Sequence, residues 1–424
     1  MMEFMDRLAK KGSILGLEGI RRLLEELGNP QERLQIVHGA GTNGKGSVFA
    51  FMDQILRDAG YKVGRYISPV VFGECESFQI NGEWITEKER EKYLRQIEDA
   101  VHRIRNRNEE EPTVFEVETA VSFLYFMENA CDLVLLETGL GGASDATNIV
   151  ENTLLAVFTS ISFDHMSILG NTLEEIGKVK AGIIKEKSLI VSAPQRDEVK
   201  SILIEEGRKK GKHVTFVNEK AVDILRQDVD EQVFSYGEYQ NLKIAMGGVY
   251  QVENALLAIE GIKALQELGY KVSEEAIRSG LRKAQWIGRF SILQKEPIFI
   301  VDGAHNPDGA KKLAKSLNLY FTNKRIIYIM GVLEDKEYKK ILKHTLPLAS
   351  ELILLTPANS RGLDKDILKR AAEEIRHDLP IYMAESGIDA VNISLNHGNS
   401  QDVIVAFGSL SYLGEIVEFF RMKK

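Results

Sequence analysis

The stretch HGAGTNGKGSVFAFM, His38–Met52, follows the apolar run RLQIV and decides how the rest of the chain is read. Gly39 to Lys45 fits G-x-x-x-x-G-K. The next position normally carries a Ser or Thr that holds a metal ion; here it is Gly46, with Ser47 one place later. Strand, glycine-rich loop and helix in that order form the context in which such a loop binds phosphate. Its glycines let backbone N–H groups turn toward phosphate oxygens, and the helix N-terminus adds a favourable dipole. Lys45 is placed to reach the β- and γ-phosphates of a nucleotide. Thr42 and Asn43 are small, polar and tolerant of turn geometry. A GTPase would carry Asn-Lys-x-Asp to read its base, and that motif is absent, so a kinase, a motor and a ligase remain open.

The chain has 424 residues, 44% hydrophobic and 27% charged, with a formal net charge of -8. This suits two or three globular domains and argues against nucleic acid as a partner. Two cysteines, Cys75 and Cys131, give neither a disulfide framework nor a metal knuckle. The first twenty residues lack the pattern of a signal peptide, and no apolar run is long enough to span a bilayer, so a cytoplasmic protein without membrane partners is expected.

Apolar runs alternate with amphipathic ones. LQIVHG, YKVGRYIS, CDLVLLETG, TLLAVFTSIS and SLIVSA read as buried strands, with helical stretches between them. The second half repeats the style in EPIFIVDGAH, RIIYIMGVL, ELILLTP and QDVIVAFGS. This is an α/β pattern with a mostly parallel sheet. A boundary near residue 290 divides it into residues 1–290 and 291–424. His213 to Leu242 is expected to form a hairpin and loop closing the first domain, and RIRNRNEEEP (Arg103–Pro112) a solvated loop.

Three further strand ends carry chemistry. Glu137 ends LVLLE, where open α/β sheets bind ligands and where a carboxylate suits Mg²⁺. Asp164 and His165 follow FTSISF, and Ser68 follows the strand in YISP. Beside a phosphate loop, Ser68, Glu137 and His165 make a plausible metal set. The lysines of GKVKAGIIK read, by themselves, as solvated helix lysines.

Taken together, GTNGKGS, FEVETA, ETGLGG with DATN, SFDHMSILGNTLEEIGKVKAGIIK, YQVENALLA, GRF, DGAHNP, GVLEDKE and GSLSYLGE resemble the folylpolyglutamate synthetase family, relatives of the muramyl ligases. The resemblance covers nearly the whole chain. It implies a phosphate-loop α/β domain followed by a smaller Rossmann-like α/β domain, with ATP, a reduced folate and L-glutamate meeting in the cleft between them. The folate carboxylate would attack the γ-phosphate, and the amine of glutamate would displace phosphate from the acyl phosphate.

Carried over position by position, Gly41, Thr42, Asn43, Gly44, Lys45, Gly46 and Ser47 would cradle the phosphates. Ser68, Glu137 and His165, with Ser47, would hold one or two Mg²⁺ ions. Lys180 matches a lysine that is carbamylated in the family. Asn254 would contact adenine, Arg289 the phosphates, and Asp302 and His305 ATP and glutamate. Lys336 and Ser409 are weaker candidates for glutamate. Tyr250 stands where many relatives have His, Ile287 replaces a Pro, Val179 a Glu, and Ala143–Ser144 an Arg-Leu pair. The last change puts in doubt the companion dihydrofolate synthase activity, which uses dihydropteroate. The family-level expectation is a monomer. The competing readings are a muramyl-type ligase, which usually carries a nucleotide-sugar domain ahead of the loop, and a nucleotide-gated regulator without ligase activity.

Overall fold

Runs of Val, Ile and Leu too short for helices pair side by side and bury both faces, as parallel strands covered by helices do. A computed structural model describes residues 2–12 and 14–423. By contact the chain divides into two compact units. The first holds residues 1–162, 169–220 and 254–281; the second holds 163–168, 221–253 and 282–424. A single cut near residue 290 does not reproduce this division.

In the first unit, eight strands run in the order Glu83–Trp84, Phe78–Ile80, Val63–Tyr66, Leu133–Glu137, Ile36–Ala40, Thr153–Phe158, Leu189–Ser192 and Val214–Phe216. All pairings from Val63–Tyr66 onward are parallel, and the two edge pairings at Phe78–Ile80 are antiparallel. Four neighbouring strands therefore end together, and Glu137, the last residue of its strand, lines one edge of the sheet with Ser68, Gly41 and Thr159, which follow theirs. Adjacent strands lie about 4.8 Å apart, so these positions are close by construction.

Helices on this sheet begin with reciprocal Thr/Glu caps at Thr86–Glu89, Thr113–Glu116 and Thr172–Glu175. Each satisfies two backbone donors and contributes about 1 kcal/mol. Glu116 also accepts from Ile20 N at 2.8 Å, tying the helix Glu18–Glu26 to its own. The expected loop at Arg103–Pro112 is a loop only in its second half. The helix Glu87–Asn106 continues through Arg103, because Arg103 and Arg107 both bond Glu26 and neutralise the charge run.

The second unit contains a six-stranded sheet in the order Ser291–Lys295, Ile298–Asp302, Val403–Phe407, Ile326–Met330, Glu351–Leu354 and Ile381–Met383. Its strands are parallel except the first, which is antiparallel to its neighbour. The region from His213 to Leu242 departs from expectation. Val214–Phe216 is a strand of the large sheet, and Val222–Gln227, Gln232–Tyr236 and Tyr239–Ile244 form an antiparallel sheet that groups with the second unit. There the buried Gln232 donates to Met246 O and Gly248 O, both at 2.9 Å, and a side chain at Gly247 would strike Phe290.

Among the described residues, no helix is long and apolar enough to cross a membrane.

Candidate active site

In the first unit the phosphate loop joins Ile36–Ala40 to the helix Lys45–Asp58. Thr42 N and Asn43 N donate to Ser160 O at 2.8 and 3.3 Å, and Thr42 exchanges side-chain and backbone bonds with Ser162 at 3.0 Å each. The loop is thus anchored on the neighbouring strand end. Its N–H groups for a ligand come from the first turn of the helix, whose donors helix geometry leaves pointing outward. Gly41 lies so close to Thr159 that an added Cβ would fall 1.9 Å from Thr159 Oγ1. Gly44 adopts φ +99°, and a Cβ there would fall 2.6 Å from Asn254 Oδ1. The glycines are required by these approaches, and Asn254 is placed against the loop.

Lys45 Nζ donates to Gly41 O at 3.1 Å and stands 3.6 Å from Glu137 Oε1. The buried Lys180 donates to the same Gly41 carbonyl at 3.0 Å. It is not a solvated helix lysine. Two cations and one carboxylate therefore gather at the loop. Ser47 is buried, in the first turn of the helix. Three buried hydroxyl oxygens at these strand ends, Ser68 Oγ, Thr159 Oγ1 and Ser162 Oγ, have no hydrogen-bond partner. Such orphans are rare in native interiors, and hard oxygen donors beside a carboxylate suit Mg²⁺. Among the described residues no group of three or more His, Cys, Asp or Glu side chains is arranged to hold a metal. Magnesium binding here would draw on the single Glu137 carboxylate together with hydroxyl, water and phosphate oxygens.

In the second unit, two clusters form at the C-terminal ends of strands. The first centres on Asp164. Its carboxylate receives Lys336 Nζ at 2.7 Å, Asn306 Nδ2 at 3.0 Å and His165 N at 2.9 Å, and lies 3.4 Å from His305 Nε2. Burial acts to raise the Asp164 pKa, but the bond and charge from His305 and the charge of Lys336 outweigh it and hold the carboxyl well below the usual range. The other ring nitrogen of His305, Nδ1, lies 2.8 Å from Gly303 O. Asn306 caps the helix Pro307–Tyr320 by accepting from Gly309 N, with Pro307 at its first position. Burial lowers the His165 pKa to about 4, the Lys336 cation adding to this and Asp164 opposing it, so its imidazole is neutral near pH 7, with Nε2 3.3 Å from Lys336 Nζ. His165 adopts φ 49°, uncommon for a residue with a side chain.

The second cluster centres on Asp302. Its Oδ2 accepts from Tyr250 OH at 2.6 Å and from Phe290 N at 2.8 Å, and its Oδ1 from Ala304 N at 2.8 Å. Arg289 lies against Gly303, where a Cβ would fall 2.0 Å from Nη1. Ser409 caps the helix Leu410–Met422 and shares a bond with Ser411 Oγ at 2.8 Å.

Of the residues expected at the site, the first unit gathers Gly41–Ser47, Glu137, Lys180 and Asn254, with Ser68 at the adjoining strand end. The second gathers His165 with His305, and Arg289 with Asp302. The metal candidates do not all belong to one unit, since His165 groups with the second. Sequence reasoning passed over Asp164 as a hub and Thr159 as a lining hydroxyl. The signal for both lay in FTSISFD, a row of small hydroxyls and an acid after an apolar strand.

The chain matches two family models: the Mur ligase middle domain over residues 40–261, and the Mur ligase, glutamate ligase domain over residues 288–410. It is 35% identical over 409 residues to the dihydrofolate synthase/folylpolyglutamate synthase of Bacillus subtilis, covering 95% of this chain and 94% of that protein. Its fold is similar to Mycobacterium tuberculosis folylpolyglutamate synthase complexed with ADP and AMPPCP, with a TM-score of 0.88 and 27% identity over 99% of this chain and 97% of that one. It is also similar to E. coli FolC in complex with DHPP and ADP, with a TM-score of 0.87 and 29% identity over 99% and 97% of the two chains.

Proposed function

We propose, because the chain belongs to the folylpolyglutamate/dihydrofolate synthase family of Mur ligases, that it joins L-glutamate to a folate at the expense of ATP. It is an ATP-dependent acid–amino-acid ligase. The observation that carries this reading is a phosphate loop with Lys45 3.6 Å from Glu137, in a chain whose second half matches a glutamate ligase domain. The muramyl reading is not favoured, since the relatives reported above are folate ligases.

A carboxylate does not acylate an amine until it is activated. In the reaction, a folate carboxylate oxygen bonds to the γ-phosphorus as the bond to ADP breaks. The glutamate nitrogen then attacks the acyl carbon, and phosphate leaves as the amide forms and a proton is released. Phosphoryl transfer asks mainly for positioning and charge neutralisation. Lys45 and the first-turn N–H groups of Lys45–Ser47 hold the phosphates, and Asn254, Arg289 and Asp302 hold the nucleotide. His305 and Lys336, kept in place by Asp164, serve the glutamate side. Bound Mg²⁺, as one ion or two, would spread the charge of the β- and γ-phosphate oxygens, with Ser68, Glu137, His165 and Ser47 as its protein ligands. The unpartnered Ser68 hydroxyl beside the Glu137 strand end supports this set. Carbamylation of Lys180 belongs to the same proposal; burial beside Lys45 on one carbonyl supports replacing one of two cations with an anion.

The functional partition follows residues 1–290 as the ATP-binding part and 291–424 as the glutamate-ligase part, supported by family-model spans of 40–261 and 288–410. A cytoplasmic monomer completes the reading. A second activity, the first glutamate addition to dihydropteroate, is favoured by the Bacillus subtilis relative, whose name carries both activities. Against it stands the Ala143–Ser144 pair, which departs from the Arg-Leu pattern noted above. Dihydropteroate and tetrahydrofolate, assayed side by side with labelled glutamate, test both: label in product with tetrahydrofolate supports the ligase, and label with dihydropteroate adds the second activity.

A further inference from the structure

Tyr250 heads the helix Tyr250–Glu267, and the segment before it is held from two sides. Gln232 donates to the carbonyls of Met246 and Gly248, both at 2.9 Å. Val249 N donates at 3.1 Å to Ser316 Oγ, on the helix that follows the Asp302 turn. Gly248 sits at φ +93°, and a Cβ there would meet the Tyr250 ring at 2.8 Å, so the ring lies directly over this glycine. The hydroxyl so placed donates to Asp302 Oδ2 at 2.6 Å. That same oxygen takes the N–H of Phe290, a residue held at φ 47°. A side chain in this left-handed region needs its surroundings to keep it there. Arg289 is the residue before it.

We propose that Tyr250 is a positioning residue for the nucleotide: its hydroxyl orients the Asp302 carboxylate, which through Phe290 N–H sets the backbone that aims Arg289. The proposal rests on the reading of Arg289 and Asp302 as nucleotide-binding groups. The contact is made by a phenol, whose hydroxyl reaches Asp302 Oδ2 directly.

The groups facing Asp302 are the Tyr250 hydroxyl, the Arg289 guanidinium and the N–H groups of Phe290 and Ala304, with Tyr320 beyond Tyr250. Burial pushes the Asp302 carboxyl up, while the Tyr250 bond and Arg289 oppose it. Removing the hydroxyl takes away one opposing contribution, so the acid limb of any process needing Asp302 ionised moves to higher pH.

The test compares wild type, Tyr250→Phe and Tyr250→His in steady-state ligation and in equilibrium binding of a fluorescent ATP analogue across pH. Loss of a hydrogen bond to a charged group predicts about a tenfold or greater rise in KM and Kd for the nucleotide. In Tyr250→Phe, kcat at saturating ATP changes less, and the acid limb shifts upward; Tyr250→His, which regains an N–H donor, recovers part of both. A Phe variant with wild-type affinity and an unmoved acid limb overturns the proposal. Where that variant is too unstable to measure, Ser316→Ala decides, since it keeps the phenol but releases Val249 N–H. Weaker nucleotide binding with a raised acid limb supports the proposal, and wild-type values overturn it. If wild type binds the analogue but forms no amide, the ligase reading fails while the binding comparison still decides the role of Tyr250.

Discussion

Lys336 Nζ stands 2.7 Å from Asp164 Oδ1, with neither side chain more than a tenth exposed. Removing one partner of such a pair strands a buried charge and typically costs about 3–5 kcal/mol. Asp164→Ala is expected to lower the urea midpoint accordingly and to raise KM for glutamate. Asp164→Asn, which keeps the shape and part of the hydrogen bonding, loses less stability but still weakens glutamate. Unchanged glutamate KM in both variants would separate this cluster from the amino-acid site.

Lys45 supplies the cation of the phosphate loop, held at Gly41 O and beside Glu137. Lys45→Ala removes charge where it develops in the transition state, and loss of one such donor costs about 10²–10³-fold in kcat. Phosphate release should fall by at least that much while circular dichroism and thermal midpoint stay near wild type. Retained activity with retained nucleotide affinity would remove Lys45 from the mechanism.

His38 lies fully buried in the strand that leads to the loop, its Nε2 2.9 Å from Thr147 Oγ1. Burial, helped by the Lys185 charge, lowers its pKa from 6.5 to about 3. Between those values the unfolded chain binds a proton that the folded chain excludes. This contribution to stability is whole above the ordinary value and is lost as pH falls toward the folded one. From about pH 7.5 to about pH 5 it amounts to about 2 kcal/mol, and His38→Gln should flatten the loss by a similar amount. Equal acid sensitivity of variant and wild type in urea titrations at the two pH values would contradict this.

Lys180 and Lys45 share the Gly41 carbonyl. If Lys180 works as a carbamate, ligation falls in buffer stripped of carbon dioxide and returns with bicarbonate. Activity indifferent to bicarbonate, with plain lysine density in a nucleotide-bound crystal, would leave Lys180 as a second cation.

The parallel strands were legible because burial on both faces demands unbroken apolar runs; Ile36–Ala40 and Leu133–Glu137 are buried at every position. The same runs located Gly41, Glu137 and Ser68, since a strand end is where an apolar run stops. The small sheet was not legible: four of the six residues of Val222–Gln227 are exposed, so its polar and apolar residues follow no single face. Arg103 reads as loop until Glu26, 77 residues away, neutralises it. Lys336 pairs with Asp164 across 172 residues, and Tyr250 with Asp302 across 52. No local pattern encodes either pair, because each partner alone is an ordinary polar residue beside a strand or helix end.

The central claim is that phosphoryl transfer from ATP in this chain serves folate–glutamate amide formation. Purified protein with ATP, Mg²⁺, a reduced folate and L-glutamate tests it most directly, with phosphate release and amide product followed together and each component omitted in turn. The account predicts one amide per phosphate and no steady turnover unless all components are present. Phosphate release that proceeds at the same rate without folate, or without any amide product, would contradict it.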